Sequence, residues 1–115
     1  MNIWASKKDI SIKHLLLLLA EQFQHGSYDI VESNLDDERA VRLVSPLNTG
    51  IQLYVFTYGQ EEGCYGVHIE FPDLQETNYA DTLEIHENIS FNNLVSIMTT
   101  TLEIPLSNIN SNRLF

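Results

Sequence analysis

Around Gly26 the spacing of apolar residues changes from a period of about 3.6 to a period of about 2. That switch divides the chain into a helical start and a strand-rich remainder. Upstream of it, Ile12, Leu15, Leu16, Leu19 and Phe23 recur at helical spacing. Leu17 and Leu18 widen the stripe, so the spacing predicts a helix buried over most of its circumference. Ser6-Lys7-Lys8-Asp9 is an S-x-x-D start, a relative of the capping box. His25-Gly26 supplies a stop, the glycine suiting a left-handed backbone. Residues 1–5 read as a short strand or a docked arm.

Downstream, alternation predicts strands at 28–33, 40–45, 51–58, 64–71 and 82–89, with Pro46 and Pro72 closing the second and fourth. Polar segments at 34–39, 47–50 and 59–63 join the first four, and 73–81 reads as a loop. The segment 51–58 is apolar on both faces, with Ile51, Leu53 and Val55 opposed to Tyr54, Phe56 and Tyr58. It is therefore expected to be a central strand covered on both sides. The last strand is expected to turn Leu83, Ile85 and Ile89 inward. Ser90 is a good N-cap for a helix at 91–102 carrying Phe91, Leu94, Val95 and Met98, which Pro105 stops. Short connections favour an antiparallel meander. The expected fold is α+β: one domain over 1–105 with about five antiparallel strands flanked by an N-terminal and a C-terminal helix, then a polar tail at 106–115.

The chain has 115 residues, enough to bury a core without disulfides or metals. Its net charge is −10, unevenly spread. Residues 43–112 contain no Lys or Arg but nine carboxylates: Glu61, Glu62, Glu70, Asp73, Glu76, Asp81, Glu84, Glu87 and Glu103. A field of one sign repels nucleic acid and anionic lipid and attracts basic partners. Acidity that merely maintains solubility is the plainer alternative.

Cys64 is the single cysteine, which excludes an internal disulfide and a multi-cysteine zinc site and fits a reducing, cytoplasmic compartment. The run 15–20 (LLLLLA) is shorter than a signal-peptide core, Asp9 interrupts its basic start, and it is too short to span a bilayer. A buried helix is the expectation.

Three arrangements invite a chemical reading. His68 and Glu70 share a strand face, as do Glu84 and His86. Should the two strands be neighbours, these four residues could converge on one metal ion. An exposed polar face is the more ordinary reading. Cys64 and His68 lie four strand residues apart, about 13 Å, beyond hydrogen-bond reach. A structural thiol is the better account of Cys64. The stripe Tyr54, Phe56, Tyr58 reads first as packing beneath a helix and second as an aromatic binding face. No phosphate-cradling glycine loop, nucleophile elbow or HExxH is present. No catalytic residue, metal or other cofactor is therefore assigned.

A small acidic α+β chain with the acidic run 61–87 and no catalytic motif resembles the immunity proteins of bacterial toxin systems, including those paired with contact-dependent growth inhibition toxins. The resemblance lies in size, charge and the lack of catalytic motifs. It implies a cytoplasmic, non-enzymatic protein, monomeric or weakly dimeric. Such a protein would bind and neutralise a cognate toxin, often a basic nuclease domain, without contacting nucleic acid or membrane. Carboxylates imitate phosphates, and charge complementarity accelerates association. The expected partner-binding residues are Glu61, Glu62, Glu70, Asp73, Glu76, Asp81, Glu84 and Glu87, with Tyr65, Tyr79 and His68 as anchors. The alternatives are an acidic secretion-effector chaperone, similar to those of type III systems, and a small metal-dependent enzyme using His68, Glu70, Glu84 and His86. A structural or regulatory domain is a further class.

Overall fold

The element order in the computed structural model is α1 (Ile10–Gln22), β1 (Asp29–Val31), β2 (Ala40–Val44), β3 (Gln52–Phe56), β4 (Tyr65–Pro72), β5 (Ala80–Ile89) and α2 (Phe91–Thr101), then a 3-10 turn at Leu106–Asn108. The structure describes residues 7–31, 37–46, 50–72 and 80–109. The five strands form one sheet in the order β1-β2-β3-β4-β5, every neighbouring pair antiparallel. This is the α+β meander that the change of period predicts. Residues 1–5 lie outside the described residues.

The start of α1 differs from the expected one. Its N-cap is Asp9, whose carboxylate accepts from the Ser11 amide at 2.9 Å and the Ser11 hydroxyl at 2.6 Å. These bonds hold the Asp9 carboxyl below its ordinary value of 3.8. The helix ends at Gln22 because Phe23 turns extended, at φ −116° and ψ 150°. Gly26, at φ 88°, serves the turn three residues later and does not close the helix. The leucine run folds as expected, with Leu15, Leu16 and Leu19 fully buried and Leu17 and Leu18 half-buried. No helix among the described residues is long and apolar enough to cross a membrane.

Both helices cover the same face of the sheet. Register aligns Leu43, Leu53 and Ile69 in one row and Val41, Val55 and Val67 in the next. These side chains meet Ile12, Leu15, Leu16 and Leu19 from α1 and Leu94 and Met98 from α2. Burying a side chain of this size contributes roughly 1.5–3 kcal/mol, so this one layer dominates stability. β3 is central, as its apolar character suggests. Among the described residues, however, helices cover only its Leu53–Val55 side.

The last strand begins at Ala80, so Ala80 and Asp81 leave the loop expected at 73–81. It also changes face. Tyr65 pairs with Ile89, but Val67 pairs with His86, so β5 carries one extra residue opposite Gly66. Asn88 absorbs it at φ 52°. A second shift lies between Ile69 and Glu70. Between the shifts, Ile85 pairs with His68 and is 59% exposed, contrary to the inward position expected of it. Ile89, beyond the first bulge, does pack against the core.

Past Pro105 the chain stays on the domain. The Gln24 amide donates to the Asn108 carbonyl at 2.8 Å, and Ile109 bridges Phe23. Residues 110–115 lie outside the described residues.

Candidate functional site

Strand alternation puts Arg42, Tyr54, His68 and Ile85 on the sheet face opposite the helices. Register makes them one row across the sheet, beginning at Val31. The aromatic stripe lies here. Packing beneath a helix, its first expected role, is thereby corrected. Phe56 stacks on Tyr58 with centroids 4.6 Å apart, and His68 meets it edge-on at 5.0 Å. Phe56 is only 3% exposed although it stands outside the main core cluster. It owes part of this to Gly66, directly opposite on β4. A Cβ there would sit 2.2 Å from the Phe56 ring. Gly66→Ala must therefore push the ring aside. Urea unfolding is expected to show a loss on the order of 1–2 kcal/mol, typical of overpacking.

Arg42 is a cation on this face. Its guanidinium lies 4.7 Å from the Tyr54 centroid and reaches across β3 to bond the Glu70 carboxylate on β4. The two side chains are 27% and 14% exposed. Glu70 is thus neutralised by a residue from outside the cation-free stretch, which corrects its assignment to the electrostatic face. Tyr65 is corrected too. It is a core residue, 7% exposed on the helix side and edge-on to Phe91 at 6.5 Å. Burial, and secondarily Cys64, pushes its hydroxyl above the ordinary value of 10.0. It is not a surface anchor. Cys64 is a half-buried free thiol.

The four-residue metal set is divided by register. β4 and β5 are neighbours, as convergence required. But Glu84 pairs with Ile69 and His86 with Val67, on the helix side, while His68 and Glu70 face the other way. His86 Nε2 instead lies 3.0 Å from Glu84 Oε2, a pairing within one strand. Among the described residues no group of three or more His, Cys, Asp or Glu is placed to hold a metal ion.

Glu61, Glu62, Glu84 and Glu87 are exposed, as the expected partner-binding role would require. Three of them are gathered by a clasp. The Asn88 amide donates to Gln60 Oε1 at 2.6 Å, and the Glu61 amide donates to Asn88 Oδ1 at 2.7 Å. The β3–β4 connection is thereby fixed to β5, bringing Glu61 and Glu62 beside the end that carries Glu87. At the β2 side of this end, Arg39 reaches the Thr57 carbonyl at 3.5 Å, so the acidic part is the β4–β5 side. Asp73, Glu76 and Tyr79 lie outside the described residues, as does the side chain of Asp81 on β5.

Reading the sequence alone passes over Arg42, Val31, Ile85 and the Gln60–Asn88 clasp. Each depends on which residues oppose one another across strands, and only the aromatic alternation at 54, 56 and 58 hinted at a second apolar face. Comparison of the chain with protein-family models, with characterised proteins and with solved structures gave no match.

Proposed function

We propose that this chain is an immunity-type protein that binds and neutralises a basic toxin domain in the cell that makes both. The observation that carries the reading is the clasp between Gln60 and Asn88. It concentrates Glu61, Glu62 and Glu87, exposed carboxylates from separate segments, on one corner of the sheet. Fixed carboxylates at one corner focus a negative potential. Such a potential steers a basic partner and rejects nucleic acid. The net charge of −10 extends that preference over the whole molecule.

The partner to test is the product of the reading frame directly upstream, made as a catalytically disabled variant. The double reversal Glu61→Lys, Glu62→Lys is expected to slow association roughly tenfold at low salt and far less at high salt, since exposed charges are screened within about 8 Å at physiological ionic strength. Rates of association measured at both salt concentrations decide it. Equal rates for the two proteins at low salt would reject the electrostatic account.

A further inference from the structure

We infer that the sheet face opposite the described helices is the docking platform for that basic partner, with Ile85 and Tyr58 among its apolar contacts and the acidic corner as its steering rim. The inference rests on the proposed function and adds the place and the chemistry of the contact. The first support is where exposed apolar groups collect. Among the described residues four large hydrophobic side chains are exposed, and three of them, Val31, Tyr58 and Ile85, belong to this face. Val31 and Ile85 stand at the two ends of the row that Arg42, Tyr54 and His68 fill between them, so the exposed apolar groups bracket one continuous face.

The second support is the state of the charges between them. Arg42 and Glu70 cancel one another and are already largely withdrawn from water. A partner covering them therefore strands no unpaired charge, the situation that makes buried ions unfavourable. Tyr and Arg side chains held rigidly beside apolar neighbours are the groups that dominate binding energy at protein interfaces. Here Tyr58 is held by its stack on Phe56, and Arg42 by Tyr54 and Glu70.

Charge complementarity selects the occupant. The centre is neutral, but exposed Asp29 flanks it on β1 and Glu61, Glu62 and Glu87 flank it at the other corner. A second copy, carrying −10 itself, would set carboxylates against carboxylates. A protein surface with an apolar centre and a rim of Lys and Arg meets both features.

The test uses the full chain and the disabled upstream product, with dissociation rates measured at low and high salt. Ile85→Asp and Tyr58→Ala are expected to accelerate dissociation roughly tenfold each at both salt concentrations, as interface centres do. Far-ultraviolet circular dichroism confirms that each variant is folded. In contrast, the Glu61→Lys, Glu62→Lys protein should change association and its salt dependence. Wild-type-like dissociation from both face variants, in a complex that still forms, overturns the docking face and leaves the proposed function standing. Failure of the wild-type chain to bind rejects the proposed function and the docking face together. Self-association in sedimentation experiments that Ile85→Asp abolishes would give the face to a second copy and overturn the basic occupant.

Discussion

Glu70→Lys is expected to lower the unfolding free energy by roughly 2–3 kcal/mol, an effect on the fold before any effect on binding. The carboxylate is 14% exposed and bonded to Arg42, which is 27% exposed and lies over Tyr54. Reversing its sign removes a carboxylate bonded to that guanidinium and sets an ammonium beside it. Removing one member of a fully buried pair costs about 3–5 kcal/mol, and the residual exposure of both groups reduces the figure here. Glu70→Gln separates the contributions: it keeps the side chain's shape and an acceptor oxygen, so its loss should be about half as large or less. The readout is the urea midpoint with an unchanged slope. A Lys variant as stable as the wild type would mean that the Arg42–Glu70 contact contributes nothing measurable, as many surface ion pairs do. For the same reason Glu70 is unsuitable for a charge-reversal test of recognition, although its sequence context, deep in a cation-free stretch, recommends it.

That stretch shows how the sequence informs and misleads at once. The absence of Lys and Arg from 43–112 is a fact of the chain, but side chains interact across strands. Arg42 is two strands from Glu70 in the sheet and twenty-eight positions away in sequence. Periodicity carries no information about such a distance until register is known. Element identity was legible because it depends on local spacing. The leucine-rich helix, the strong strand around Leu53 and Val55, and the Ser90 cap all follow from patterns within a dozen residues. The Ser90 hydroxyl does accept from the Asn93 amide, at 3.2 Å.

Face assignment was legible only where alternation ran uninterrupted. Strands β3 and β4 keep the faces read for them, so His68 and Glu70 were rightly placed together and opposite Val67 and Ile69. β5 does not. Its extra residue at the Asn88 bulge reverses the parity of Glu84, Ile85 and His86, up to the second shift, and a one-residue slip sends a side chain to the other face. The same slip exposes Ile85, separates the two His-Glu pairs and so dissolves the metal site that strict alternation suggested. Nothing in the pattern at 82–89 announces it. Asn is merely one of the residues that tolerate a left-handed backbone.

The contrast between Val67→Asp and Ile85→Asp tests that reversal directly. Val67 is fully buried between the sheet and the helices. An aspartate there must either hold a charge among Leu, Ile and Met side chains or take up a proton to avoid it. Losing the packed methyl groups adds to the penalty. The sum is expected to exceed roughly 4 kcal/mol. A domain of this size has only about 5–15 kcal/mol in hand, so the variant should be largely unfolded or should melt far below the wild type. Ile85, at 59% exposure, gives up little by the same change, and the expected loss is roughly 1 kcal/mol or less. Glu84 and Glu87 flank it, so part of any loss is repulsion; Ile85→Asn removes that part and should recover it. Thermal and urea unfolding of the three proteins beside the wild type decide the matter. Were β5 to alternate without its bulge, Ile85 would lie on the side of Val67, and Ile85→Asp would cost more than the loss expected here. A folded Ile85→Asp beside an unfolded Val67→Asp therefore fits the exposed position of Ile85, which the docking assignment requires.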